Sequence, residues 1–86
     1  MVIWKFEIKP DATISMPVGA EILSVAVQNN QPCVWAMVDP DAPRENRSFK
    51  TVPTGADFDT RSLKYVGSFH DEEGWMVFHL FEEFGF

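Results

Sequence analysis

The stretch ILSVAVQNNQPCVWAMV, residues 22–38, sets two apolar runs on either side of a polar, asparagine-rich break. Leu23, Val25 and Val27 share one parity, opposite Ser24 and Gln28, which is the period of a half-buried strand. Asn29-Asn30-Gln31-Pro32 reads as a turn, because asparagine tolerates the positive φ that tight turns demand. Cys33 to Val38 then resumes without a polar residue. Residues 22–38 are therefore a β-hairpin, and Cys33–Val38 is its core strand. If Trp35 is buried there, Trp35→Ala should destabilise the protein by about 3–5 kcal/mol.

The same period extends outward in both directions. In VIWKFEI, Val2, Trp4, Phe6 and Ile8 alternate with Lys5 and Glu7. Lys9-Pro10-Asp11 closes that strand, and ATISM opens the next, with Ala12, Ile14 and Met16 on one face. Asp39 to Asn46 reads as an exposed turn that delivers Arg44 and Arg47 to one end of the molecule, and RSFKTV is a short strand bounded by Pro53. Thr54 to Arg61 is loop-like. LKYVGSFH and WMVFHLFE flank Asp71-Glu72-Glu73-Gly74 as a second hairpin. With a four-residue loop, His70 would face Trp75, and Val66 would face His79. No window sustains a helical stripe. The expected fold is all-β, a compact small antiparallel sandwich or barrel of about six or seven strands, in a single domain over residues 1–86.

Eighty-six residues bury only about 60–65% of the unfolded surface, so the stability margin is thin. A single cysteine, Cys33, forbids an internal disulfide, and Cys33, His70 and His79 have no zinc-site spacing. Twelve aromatics (three Trp, one Tyr, eight Phe) are a heavy load for so short a chain. Some of that surface has to find cover elsewhere, which points to a homo-oligomer. No membrane span and no leader is legible.

The net charge of −6 argues against binding a nucleic-acid backbone, which needs clustered cations. The charges are also segregated. Arg44, Arg47, Lys50, Arg61 and Lys64 fall in one window, and no Lys or Arg follows Lys64, where Asp71, Glu72, Glu73, Glu82 and Glu83 accumulate.

Candidate chemistry is sparse. Cys33 alternates with Trp35 and Met37 inside a strand, with nothing nearby to activate a thiolate. Asp39, Asp41 and Glu45 lack the glycine and ligand spacing of a calcium loop. The sequence has no nucleophile triad, phosphate cradle or dinucleotide fingerprint, so neither catalysis nor a cofactor is expected. One window stands out: Arg44, Arg47, Phe49, Lys50, Thr54, Gly55, Arg61 and Tyr65, with Phe58 between them. Guanidinium groups pair with phosphate oxygens and aromatic faces stack on bases. These eight residues are the candidate ligand-binding or interface site, with a small nucleotide as one possible ligand. On that reading, Arg47→Glu should impair binding and leave the fold intact.

IWKFEI, TISMPVGAEILSVAVQNNQPCVWAMVDPDAP, the Arg47–Phe49 strand, Thr54-Gly55 and YVGSF…MVFHLFE together resemble a family of small accessory proteins of tailed bacteriophages and prophages, to which no reaction is assigned. The resemblance spans nearly the whole chain. It departs at Pro53-Thr54-Gly55-Ala56, where relatives carry Gly-Thr-Gly-His. What it implies is an accessory protein made in the host bacterial cytoplasm. By analogy with that type of gene, and with no catalytic motif in the sequence, the expected function is to antagonise a host system, antiviral defence foremost, by stoichiometric binding to a host bacterial protein. A sponge for a phosphate-bearing signalling nucleotide and a virion or assembly component are the alternatives.

Overall fold

The unbroken apolar run 33–38 is explained by its place. It belongs to β4 (Gln31–Val38), the middle strand of a three-stranded sheet between β1 (Val2–Glu7) and β3 (Glu21–Gln28). The second sheet has four strands, in the order β2 (Thr13–Pro17), β5 (Arg44–Pro53), β7 (Val77–Glu83), β6 (Leu63–His70). All five ladders are antiparallel. The computed structural model describes residues 1–9 and 13–84. Pro10, Asp11 and Ala12, read above as a strand end and the start of the next, lie outside the described residues. Among the described residues every regular element is a strand, so the fold is an all-β sandwich; no helix is long and apolar enough to cross a membrane.

The β3–β4 hairpin turns on Asn29 (φ 51°) and Asn30 (φ 60°), with Gln28 opposite Gln31. Two consecutive positive-φ residues match the right-handed twist of the flanking strands. The expected turn is thus two residues long, and Gln31 and Pro32 already belong to β4.

The core lies between the sheets. Val34, Ala36 and Val38 of β4 meet Phe49 of β5 and Leu80 of β7, with Met16, Ile8 and Ala20 around them. Trp4 and Phe6 sit opposite Ala36 and Val34 in the ladder, and so line the same inner face. Cys33, Trp35 and Met37 point the other way, so Trp35 is a half-buried residue of the outer face rather than a core residue.

Two β-bulges adjust this alternation. In β3 the register shifts between Ile22 and Ser24, and in β6 between Tyr65 and Gly67. The first bulge makes Leu23 a surface residue, 48% exposed, and puts Ile22 beside Val25 against the core. The expected face of Leu23, Val25 and Val27 is corrected accordingly. The bulged strands are also the two that meet where the sheets close on each other. Gly67 permits that approach, since a Cβ there would lie 2.7 Å from Val25 Cγ1. Bulges increase local twist and interrupt a ladder, which suits edges that pack by side chain.

Other boundaries differ from expectation. The exposed turn is only Asp39–Pro43, closed by Ala42 N–H on the Asp39 carbonyl and Asp41 N–H on the Asp39 carboxylate. β5 begins at Arg44 because β2 pairs with its first half, Pro17 opposite Arg44 and Thr13 opposite Ser48. In the second hairpin His70 faces Val77, and His79 faces Ser68. The loop there is six residues long, not four, and the bulge moves Val66 out of register.

Candidate functional site

β5 carries the first half of the basic, aromatic window, and its pleat sends alternate residues to opposite faces. Arg47 and Phe49 point inward. Phe49 is 0% exposed, so it is a core residue with no surface to offer a ligand. The Arg47 guanidinium forks onto Glu82 of β7, Nε donating to Oε2 at 2.6 Å and Nη2 to Oε1 at 2.8 Å. Its Nη1 donates to the Ala20 carbonyl at the start of β3. One side chain thereby ties the two sheets together, and the hydrogen bond to Glu82 raises its already high pKa. A polar cleft of about 190 Å³ does open beside it, between Glu21, Lys64 and Tyr65. The guanidinium is already committed to Glu82 and Ala20. Arg47→Glu would set a second carboxylate against Glu82, so the fold-neutral outcome expected above is replaced by an unfolding one.

Arg44 leaves the window by another route, with its guanidinium carbon 5.7 Å from the Trp4 ring centroid. Thr54 and Gly55 form a turn at the far end of β5. The Thr54 hydroxyl donates to the Val77 carbonyl at 3.0 Å and accepts from His79 Nε2 at 2.8 Å. Gly55 takes φ 91° while Ala56 N–H closes on the Pro53 carbonyl. This pair shapes the loop.

The remaining members gather on the outer face of the four-stranded sheet. Lys50, Phe81 and Tyr65 stand in one row across β5, β7 and β6. The loop folds back so that Phe58 packs 5.3 Å from Phe81, and Tyr65 meets the same ring edge-on at 5.5 Å. Arg61 closes on Asp59 at 2.6 Å, and this hydrogen-bonded partner holds the Asp59 carboxyl below its ordinary range. The eight expected site residues are therefore dispersed among the interior, the outer face and two loop ends.

A residue outside the expected set is the more exposed one. Trp75 is 82% exposed, with Met76 and Val77 beside it also on the surface. It sits in the β6–β7 loop, read from sequence as the start of a strand. Asp71 extrudes it: one carboxylate oxygen accepts from Trp75 N–H at 2.8 Å and Met76 N–H at 3.4 Å. The Asp71 backbone adds two bonds, its carbonyl accepting from Gly74 N–H and its N–H donating to the Met76 carbonyl. Gly74 supplies the positive φ, 76°. The signal was present in Asp71-Glu72-Glu73-Gly74, since an aspartate binding the backbone just ahead of it is the usual stabiliser of such loops.

Cys33 Sγ is buried and donates to the Gln31 carbonyl at 3.3 Å. His70 Nδ1 is engaged by the Asp71 carbonyl at 2.7 Å. Among the described residues no three His, Cys, Asp or Glu side chains converge on a metal position.

Fold and surface together define a small antiparallel β-sandwich domain that presents one pinned, exposed tryptophan among acidic side chains. Residues 1–85 match the family model described as a domain of unknown function (DUF7352), and the chain belongs to that family. No curated protein and no solved structure matches the chain.

Proposed function

We propose that this domain is a non-catalytic binding protein, made in a bacterial cytoplasm by a tailed phage or prophage, that antagonises a host protein of antiviral defence by stoichiometric contact. The observation that carries the binding role is Trp75. A large aromatic side chain exposed on a loop fixed by four hydrogen bonds loses little conformational freedom on association. Buried tryptophans are the commonest interface hot spots. The phage setting rests on the resemblance drawn from the sequence.

The surroundings specify the partner's chemistry. Glu72 and Glu73 precede the tryptophan in the same loop, and the chain carries a net charge of −6. The complementary surface is an apolar pocket rimmed by Lys or Arg, and a second copy of this acidic chain is disfavoured at that contact. The nucleotide-sponge reading draws less support, because Arg47 and Arg61 are already paired with carboxylates.

The test is affinity capture from the bacterial host, followed by titration of the retained host protein with wild type and Trp75→Ala. The expected result is a one-to-one complex, weakened by salt and at least about 30-fold weaker for Trp75→Ala. Because the ring is exposed, the melting temperature should not change. Equal affinity of the two proteins, or no retained host protein, would overturn the reading.

A further inference from the structure

The sandwich is not filled to both ends. At the end reached by the β3–β4 turn, a cleft of about 210 Å³ enters between the sheets. Ile8 and Pro32 wall it from the three-stranded sheet, and Thr51, Phe69 and Phe78 from the four-stranded one. Phe69 and Phe78 face each other in the β6–β7 ladder and stack, with ring centroids 5.5 Å apart and planes at 23°. They form an aromatic wall.

Polar groups are few and already arranged. The Gln31 side-chain amide donates to the Ile8 carbonyl at 2.8 Å and the Pro32 carbonyl at 3.1 Å. Its oxygen accepts from Lys9 Nζ at 3.2 Å. Gln31 is thus a strut that steers an ammonium group to the mouth of an apolar cleft. Among the described residues, no carboxylate lies within ion-pair distance of Lys9.

We propose that this cleft binds a small apolar monocarboxylate, its ring or branched chain lying along Phe69 and Phe78 and its carboxylate meeting Lys9 at the mouth. The volume equals about seven waters of liquid, and water held against such walls has few hydrogen-bond partners. An apolar body displaces it favourably. The cleft is smaller than a drug-sized pocket, so a ligand of about ten non-hydrogen atoms suits it. Binding of a ligand that size falls at about 0.1–1 mM.

The experiment uses the full chain, amide-resolved NMR, and two near-isosteric probes, phenylacetate and phenylacetamide. Phenylacetate should shift the amides of Ile8, Thr51, Phe69 and Phe78 saturably. Phenylacetamide should bind about two- to fivefold more weakly, and Lys9→Met, which keeps most of the stem and removes the charge, should weaken phenylacetate to the same degree. Thr51→Leu, which narrows the cleft from the four-stranded side, should weaken the response. Absence of saturable shifts at these amides up to about ten times the expected dissociation constant would overturn the proposal. So would equal binding of acid and amide, or equal binding by wild type and Lys9→Met. The lysine variant alters only a surface position, so the proposal stays testable even if Thr51→Leu unfolds.

Discussion

Arg47 and Arg61 each hold a carboxylate at 2.6 Å, and there the likeness ends. The Arg47–Glu82 side chains are 16% and 15% exposed, joined across β5 and β7 and bonded onward to β3. The Arg61–Asp59 side chains are 88% and 56% exposed, two residues apart in one loop. The first pair is largely shielded from water, and the third guanidinium nitrogen of Arg47 donates to the Ala20 carbonyl. The second exchanges water for protein at little gain. The same contrast runs through the aromatics, with Phe49 sealed between the sheets and Tyr65 lying on the outer face. Distance alone does not rank these interactions; burial and the number of elements joined do.

The inner half of the window is the sensitive one. Phe49→Ala should cost about 3–5 kcal/mol, enough in a chain of 86 residues to leave much of it unfolded at 37 °C by circular dichroism. Arg47→Ala should follow at about 2–3 kcal/mol, because Glu82 and the Ala20 carbonyl lose their partner in a half-dry setting; a urea melt reads this directly. If Arg47→Ala melted like wild type, the two ion pairs would be equivalent and the contrast would fail.

The outer half should respond weakly. Tyr65→Ala removes one edge-on contact with Phe81, worth about 0.5–1.5 kcal/mol, measurable by the same melt. Arg61→Ala should leave the melting temperature unchanged, yet it has a local readout. Asp59 titrates below its ordinary value of 3.8 because Arg61 hydrogen-bonds its ionised form. A lowered folded-state pKa gives stability that is present above pH 3.8 and lost as pH falls through the folded value. Its midpoint, followed by carboxyl NMR, should rise toward 3.8 in Arg61→Ala; the stability the pair adds is present throughout pH 5 to 8 and, on groups this exposed, is screened below what a melt resolves.

The contrast also shows what could be read from the sequence. Strands were legible because period two survives wherever one face is wet, as in β1 with Trp4 and Phe6 inward and Lys5 and Glu7 outward. The faces of β4 were not legible, since a central strand apolar at every position does not say which side is the core. The bulges hid the exchange of Leu23 for Ile22. The site was misplaced for a related reason. A cluster of cations in one sequence window becomes a surface patch only if the pleat sends them one way, and β5 sends Arg47 and Lys50 to opposite faces. Trp75 was hidden by its own strand-like neighbours, until Asp71 bound the backbone that would otherwise have extended β7.

The order of strands in the larger sheet carries a consequence for biosynthesis. β7, the last of the seven described strands in chain order, lies between β5 and β6 and contributes Leu80 to the core and Glu82 to Arg47. Until Val77–Glu83 arrives, β5 and β6 have no ladder joining them, and the hydrophobic interior lacks one wall. Among the described residues only the β3–β4 and β6–β7 ladders join consecutive strands, so closure waits on distant segments and is slow by the standards of small domains. A chain halted before Val77 is therefore not a shorter version of this protein but an unfolded one, open to proteolysis. Folded molecules then arise only from chains translated past Glu83.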